Sequence, residues 1–147
     1  MNLGNVIGLF GVSLCVLLCG IGSAIGLKKT GQAAAGILSE DPKKFSKALV
    51  LVVLPATQGI YGFVFGIIGM ESALAATTVF EGLHILMAAL PLTIVGLASA
   101  VFQGATAASC IHAVAKKESL SGKLILFPAM VETYAILALV ISLLLIV

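Results

Sequence analysis

Four long apolar runs, at roughly 5–27, 46–70, 82–115 and 122–147, alternate with three stretches rich in polar residues, "KKTGQAAAGILSEDPKKFSK", "ESALAATTVFEG" and "KKESLSGK". A bilayer core about 30 Å thick is crossed by about 20 apolar residues in a helix. Each run is long enough, so the pattern predicts an all-α membrane protein with four transmembrane helices. A signal peptide would carry basic residues ahead of its apolar core. The start "MNLGNVIGLFGV" has none, and Lys28 and Lys29 follow the run instead, so the first helix is expected to be retained.

The two halves of the pattern repeat. "GIGSAIG" at 20–26 matches "GLASAVF" at 96–102, and "LPATQGIYG" at 54–62 matches "FPAMVETYA" at 127–135. Pro55 then pairs with Pro128 and Tyr61 with Tyr134, but Glu132 stands where the first half has Gly59. The reading is a duplicated two-helix hairpin with both copies in one orientation. The repeats are 1–74, with helices at about 5–27 and 46–70, and 75–147, with helices at about 82–115 and 122–147. A duplication in which one half alone keeps the carboxylate points to one site per chain.

Composition supports the membrane reading: 61% of residues are hydrophobic, 10% are charged, and Trp is absent. All eight cations are lysines, in two clusters: Lys28, Lys29, Lys43, Lys44 and Lys47, then Lys116, Lys117 and Lys123. Basic clusters beside apolar spans mark the cytoplasmic side, a better fit here than nucleic acid. The middle loop, with Glu71 and Glu81 and no lysine, is expected outside together with both termini. Cys15, Cys19 and Cys110 lie in apolar runs and form no disulfide framework; Cys110 near His112 lacks the second pair a metal site would need.

Gly4, Gly8, Gly11, Cys15, Cys19, Gly22 and Gly26 form a small-residue stripe along the first helix, and Gly96, Ala100, Gly104 and Ala108 another along the third. Such stripes let backbones approach closely in lipid. Packing within one bundle would use them, but a stripe along a whole helix suits a wall of many helices better, and so predicts oligomerisation.

Glu132 is the feature that demands chemistry. A mid-bilayer carboxylate costs about 2.5–3.5 kcal/mol on insertion scales. It lies nine residues past Lys123, about 14 Å along a helix, while Thr57 and Gln58 lie ten and eleven past Lys47 and Gln103 thirteen before Lys116. These groups share a slab near the membrane centre. All offer oxygen, which hard cations prefer. One carboxylate neutralises one monovalent ion, and a proton would need none of the amides, so Na⁺ fits best. Pro55 removes a backbone N–H and frees nearby carbonyls to face a cavity. Ser99 and Thr106 read as packing or backbone-bonded residues.

"LPATQGIYGFV", "FQG" at 102–104 and "MVETYAIL" together resemble the proteolipid rotor-ring subunit of V-type ATPases, in its four-helix, Na⁺-translocating bacterial form, and the resemblance covers nearly the whole chain. It implies Na⁺ held by Glu132, Gln103, Gln58, Thr57 and the Leu54 carbonyl, with Tyr61 donating a hydrogen bond to the carboxylate from behind. It implies a homo-oligomeric ring with the first and third helices inside, turning against a stator membrane subunit that carries an arginine. A central-stalk subunit would meet the cytoplasmic loops at 28–45 and 116–121, and lipid would surround the ring in the bacterial cell membrane. ATP hydrolysis belongs to a separate soluble head, so no catalytic residue and no bound nucleotide are expected here; the chain has no phosphate-cradling Gly-Lys-Ser/Thr loop. One carboxylate per four helices means fewer ions per turn, a gearing that favours pumping. The alternatives are the same rotor carrying H⁺, a small proton-coupled exporter, for which the aromatic cage is missing, and a membrane-scaffolding bundle.

Overall fold

The computed structural model describes residues 1–146, and all its regular structure is helical. Helix α1 spans Leu3–Glu40. A 3₁₀ turn at Pro42–Lys44 leads into α2 (Phe45–Val53), a second 3₁₀ turn at Leu54–Ala56 and α3 (Thr57–Ala75). Helix α4 spans Val79–Lys116; after a turn at Glu118–Leu120 come α5 (Ser121–Leu124) and α6 (Leu126–Ile146). Four segments are long and apolar enough to cross a membrane: Leu3–Glu40, Pro42–Ala75, Val79–Lys116 and Glu118–Ile146.

The first and third helices are longer than expected. Residues 28–40 continue α1 instead of forming a loop. The alanine-rich segment favours helix, and it has something to bury. Ala33, Ala34 and Ile37 pack with Ala48, Leu51, Ile111 and Val114 in one cluster. At about 1.5 Å per residue, a 38-residue helix is nearly twice the thickness of the hydrocarbon core, so α1 and α4 project beyond the apolar slab. The loops shrink accordingly. Glu71 lies inside α3, and Glu81 in the first turn of α4.

Paired residues set the register. Gly11 meets Leu86, Gly22 meets Leu97 and Gly26 meets Ala100, so α1 and α4 run parallel. Gly62 meets Cys19 and Gly66 meets Val16, so α3 runs antiparallel to α1. Ser142 bonded to Leu92 N and Ser99 bonded to Val131 O set α6 antiparallel to α4. Two hairpins in one orientation, α1 with α2–α3 and α4 with α5–α6, stand side by side.

This packing changes the meaning of the glycine stripe. A Cβ at Gly22 would lie 2.8 Å from Leu97 O, and one at Gly26 would lie 2.6 Å from both Ala100 O and Pro55 Cβ. The stripe is therefore engaged within the chain, where it lets α1 press onto α4 and the Pro55 turn. It does not supply the face for other copies, contrary to the expectation from sequence.

Both ends of the hairpins are tied. Asn5, buried, donates from Nδ2 to Ala73 O, Leu74 O and Ala76 O, closing the carbonyl end of α3. Asn2 and Asn5 form a capping box on α1, and Thr78 and Glu81 form its counterpart on α4. At the lysine-bearing end, Lys44 Nζ donates to Ala115 O at 2.9 Å and Lys47 pairs with Glu118. "SEDPKKF" is the expected turn and helix start: Asp41 accepts from Lys43 N, with Pro42 at the first turn position.

Candidate ion-binding site

Pro55 shapes the first wall of the site. Without an N–H it cannot complete the helical ladder, and the chain tightens into the 3₁₀ turn Leu54–Ala56 between α2 and α3. Thr30 of α1 donates to Val52 O at 3.0 Å, in the turn just ahead of that proline. Leu54 O is met by Thr57 Oγ1 at 2.9 Å, and the same hydroxyl lies 3.3 Å from Gln58 Oε1. Three oxygens from successive turns thus share one patch.

The second wall comes from α4 and α6. Gln58 Nε2 donates to Gln103 Oε1 at 2.7 Å. Gln103 Nε2 donates to Pro128 O at 3.0 Å and to Glu132 Oε2 at 3.1 Å. Tyr61 O–H donates to the other carboxylate oxygen, Glu132 Oε1, at 2.6 Å. Leu54, Thr57, Gln58, Tyr61, Gln103 and Glu132 therefore join in one continuous network between the two hairpins. Gln58 and Gln103 are fully buried, and Glu132 is half-buried. Every candidate residue read from the sequence is in it, and Tyr61 stands behind the carboxylate.

Ser99 is backbone-bonded, as its sequence context suggests, but the bond runs to another helix and a side-chain partner is added to it. Its Oγ accepts from Gln58 Nε2 at 3.2 Å and donates to Val131 O at 3.0 Å. It pins the Gln58 amide to α6, so that Gln58 Oε1 is left turned toward Thr57. A signal for this exists in the chain: Ser99 lies four residues before Gln103, on the same face of a helix. Thr106 does bond its own helix, to Phe102 O, as does Thr133, to Met130 O. Among the described residues no three His, Cys, Asp or Glu side chains gather into a metal-binding group; the cluster is one carboxylate among neutral oxygen donors, the donor chemistry of a hard monovalent cation.

Ser99→Ala is expected to loosen Gln58 without unfolding the chain, because the Gln103 bond remains. One lost hydrogen bond is worth about 1 kcal/mol, so cation affinity at the cluster should fall about fivefold. A cation titration of the variant against the parent chain checks this; an unchanged midpoint would mean that Gln103 alone holds Gln58.

Two tandem helical hairpins enclosing one membrane-depth carboxylate define a proteolipid of the kind that carries ions. The family model for the ATP synthase C subunit matches residues 10–69 and again 86–145, and the chain belongs to that family. It is 44% identical over 145 residues, 99% of this chain and 93% of the relative, to the V-type sodium ATPase subunit K of Enterococcus hirae. It is 39% identical over 97% of its length to the A-type ATP synthase subunit K of Methanocaldococcus jannaschii, of which it spans 62%. Over 94% of its length it is 25% identical to the 16 kDa proteolipid of the V-type proton ATPase of Rattus norvegicus, covering 89% of that chain. Like its family, this chain is a non-catalytic, ion-translocating membrane subunit.

Proposed function

We propose that this chain is the rotor-ring subunit of a bacterial Na⁺-translocating V-type ATPase. It binds one Na⁺ at Glu132 and carries it across the membrane as ATP hydrolysis elsewhere in the complex turns the ring. The observation that carries this reading is the joining of Glu132 to a buried set of neutral oxygens from both hairpins. The 44% identity to a sodium ATPase subunit supports the choice of ion.

In this reading Na⁺ sits against Glu132 Oε2, among Leu54 O, Thr57 Oγ1 and Gln58 Oε1. Gln103 adds its Oε1, which accepts from Gln58 Nε2 at 2.7 Å, once Na⁺ takes the place of that bond, while its Nε2 keeps its bond to the carboxylate. Tyr61 keeps its bond to Oε1 and holds the carboxylate's angle. The loaded site is neutral, so it can face lipid. The empty carboxylate cannot do so cheaply, and it leaves the stator only after loading. An arginine on the stator subunit favours the empty, ionised state and releases the ion. The two repeats divide between residues 74 and 75. The lysine-bearing turns face the cytoplasm and the central stalk, both termini face outside, and no nucleotide binds to this chain.

Carbodiimide labelling tests the ion directly. A carbodiimide modifies Glu132 when the carboxyl is protonated, and bound Na⁺ should suppress the reaction at constant pH. Protection that saturates with NaCl, and is absent with an impermeant organic cation, is the expected result. Labelling indifferent to Na⁺ would remove the sodium reading and leave a proton carrier.

A further inference from the structure

Pro55 interrupts a segment long enough to span the membrane, and an interruption leaves backbone groups without partners. A 3₁₀ turn bonds each amide three residues back, as Thr57 N does to Leu54 O. An α-helix bonds it four back. In the turn Leu54–Ala56 the amide of Ala56 therefore goes to Val53 O, and Val52 O loses the partner a regular helix would give it. On the other side of the turn, Gly59 stands in the first turn of α3, where amides have no partner within the helix. Buried backbone groups left unpaired are costly, so both need a partner from elsewhere.

Both partners come from one face of α1. Thr30 Oγ1 donates to Val52 O at 3.0 Å, and Ser23 Oγ accepts from Gly59 N at 2.7 Å. The Thr30 hydroxyl also lies 3.1 Å from Leu27 O and 3.4 Å from Gly26 O. Those carbonyls lie inside α1 and have ladder amides of their own, so its single proton belongs to Val52 O. Thr30 and Ser23 are both buried. Between them is Gly26, where a Cβ would lie 2.6 Å from Pro55 Cβ. Facing Ser23 is Gly59, where a Cβ would lie 2.9 Å from the serine Oγ. Ser23, Gly26 and Thr30, three and four residues apart on one helix face, form a clasp: a hydroxyl, a gap for the proline, a hydroxyl.

We infer that Ser23 and Thr30 are positioning residues for the cation. They hold the Pro55 turn in its 3₁₀ form, which keeps Leu54 O and Thr57 Oγ1 at the Glu132 cluster, and so set affinity without touching the ion. The two groups they serve are the ones an α-helical form would pair internally, Val52 O with Ala56 N and Gly59 N with Pro55 O. Serving both from α1 removes the drive to re-form the helix. That helix would hand Leu54 O to Gln58 N and turn the carbonyl along the helix axis, away from the cluster. The inference rests on the Na⁺ reading of Glu132 and adds what fixes the ligands of its first wall.

The second hairpin supplies the contrast. The repeat pairs Ser23 with Ser99, Gly26 with Phe102 and Thr30 with Thr106. Phe102 is exposed, and Thr106 bonds its own helix at Phe102 O, so the clasp is not repeated. The carbonyl that Pro128 deprives of an amide is Leu124 O, four residues back, and it is met by the thiol of Cys110 at 3.5 Å, a weak donor. Two hydroxyls are spent only on the hairpin whose turn offers Leu54 O to the ion.

Na⁺ protection of Glu132 against a carbodiimide, titrated on the whole complex, tests the inference. Thr30→Val keeps the shape and removes the hydroxyl, and the protection midpoint should rise about fivefold, the worth of one hydrogen bond. Thr30→Ser, which keeps the donor, should restore the parental midpoint. Thr106→Val, the same change at the matching position, should not move it. Ser23→Ala should also raise the midpoint, and it covers the case in which Thr30→Val does not assemble. Hydrogen exchange of the peptide around residues 52–60, followed without Na⁺, reports on the turn itself. It should quicken in Thr30→Val and Ser23→Ala, and not in Thr106→Val. Quickened exchange with an unmoved midpoint would make the clasp structural only and overturn the inference. So would a Thr30→Ser midpoint as high as that of Thr30→Val, or parental exchange in both variants lacking a hydroxyl. A parent chain whose labelling ignores Na⁺ would remove the sodium reading instead, and exchange would still decide whether the two hydroxyls hold the turn.

Discussion

Replacing Glu132 by glutamine is expected to leave the complex assembled and to abolish ATP-driven Na⁺ transport. The new side chain matches the old in shape, and its oxygen still accepts from Tyr61 O–H, now 2.6 Å from Glu132 Oε1. Its NH₂ meets Gln103 Nε2, now 3.1 Å from Glu132 Oε2. Relieving that clash of donors takes a turn of both the Gln103 and the Gln58 amides, because Gln58 Nε2 donates to Gln103 Oε1, and it gives up the Gln103 bond to Pro128 O. The fold is kept; the charge is not. Removing one partner of a buried charge pair costs about 3–5 kcal/mol, so Na⁺ affinity should fall about 10²–10⁴-fold. A permanently neutral site also no longer needs Na⁺ in order to face lipid, so rotation uncouples from ion movement. Radioactive Na⁺ uptake into vesicles carrying the whole complex, with ATP hydrolysis measured in parallel, checks both effects. Full transport by this variant would return the chain to a scaffolding role.

Gly22→Val is expected to be among the most destabilising single changes in the chain, and Gly20→Val, two residues away on the same helix, to be nearly silent. A Cβ at Gly22 would lie 2.8 Å from Leu97 O and 2.9 Å from Leu97 Cα, both backbone atoms that no rotamer change can move. At Gly20 a Cβ meets nothing within 4 Å. The first variant must push α1 off α4. Overpacking of this kind costs about 1–3 kcal/mol and sometimes more. The displacement also reaches the site, because the adjacent Ser23 holds Gly59 N, next to Gln58. Thermal melting in detergent should show a loss of about 5–10 °C for Gly22→Val, with weakened Na⁺ protection of Glu132, and little change for Gly20→Val. Equal melting of the two variants would mean that α1 and α4 are not in backbone contact there.

Glu132, Gln103, Gln58 and Thr57 group together on sequence grounds because depth in a bilayer is a one-dimensional quantity. Residue count from a lysine cluster, multiplied by the helical rise, measures it. Tyr61 and the Leu54 carbonyl enter through resemblance, and their places in the network follow from the Pro55 turn. Ser99 escapes such counting because a serine in a transmembrane helix usually bonds its own backbone, as Thr106 and Thr133 do here; only the packing of α4 against both α3 and α6 gives it partners from two other helices.

The helix ends escape for a related reason. Lys28 and Lys29 mark where a helix leaves the lipid, and leaving lipid does not end a helix. Ala33, Ala34 and Ile37 carry α1 on to Glu40 because α2 and α4 supply a surface to bury them.

Sequence alone determined the spans, their duplication and the depth of the carboxylate, since each is set locally by apolar run length, self-similarity and the helical rise. Which faces of the helices meet was decided only by the tertiary structure. The glycines of α1 close onto α4 within the chain, and the polar groups of α3 meet Gln103 and Glu132 across the junction of the two hairpins. A small-residue stripe records that something approaches closely; the three-dimensional packing alone says what.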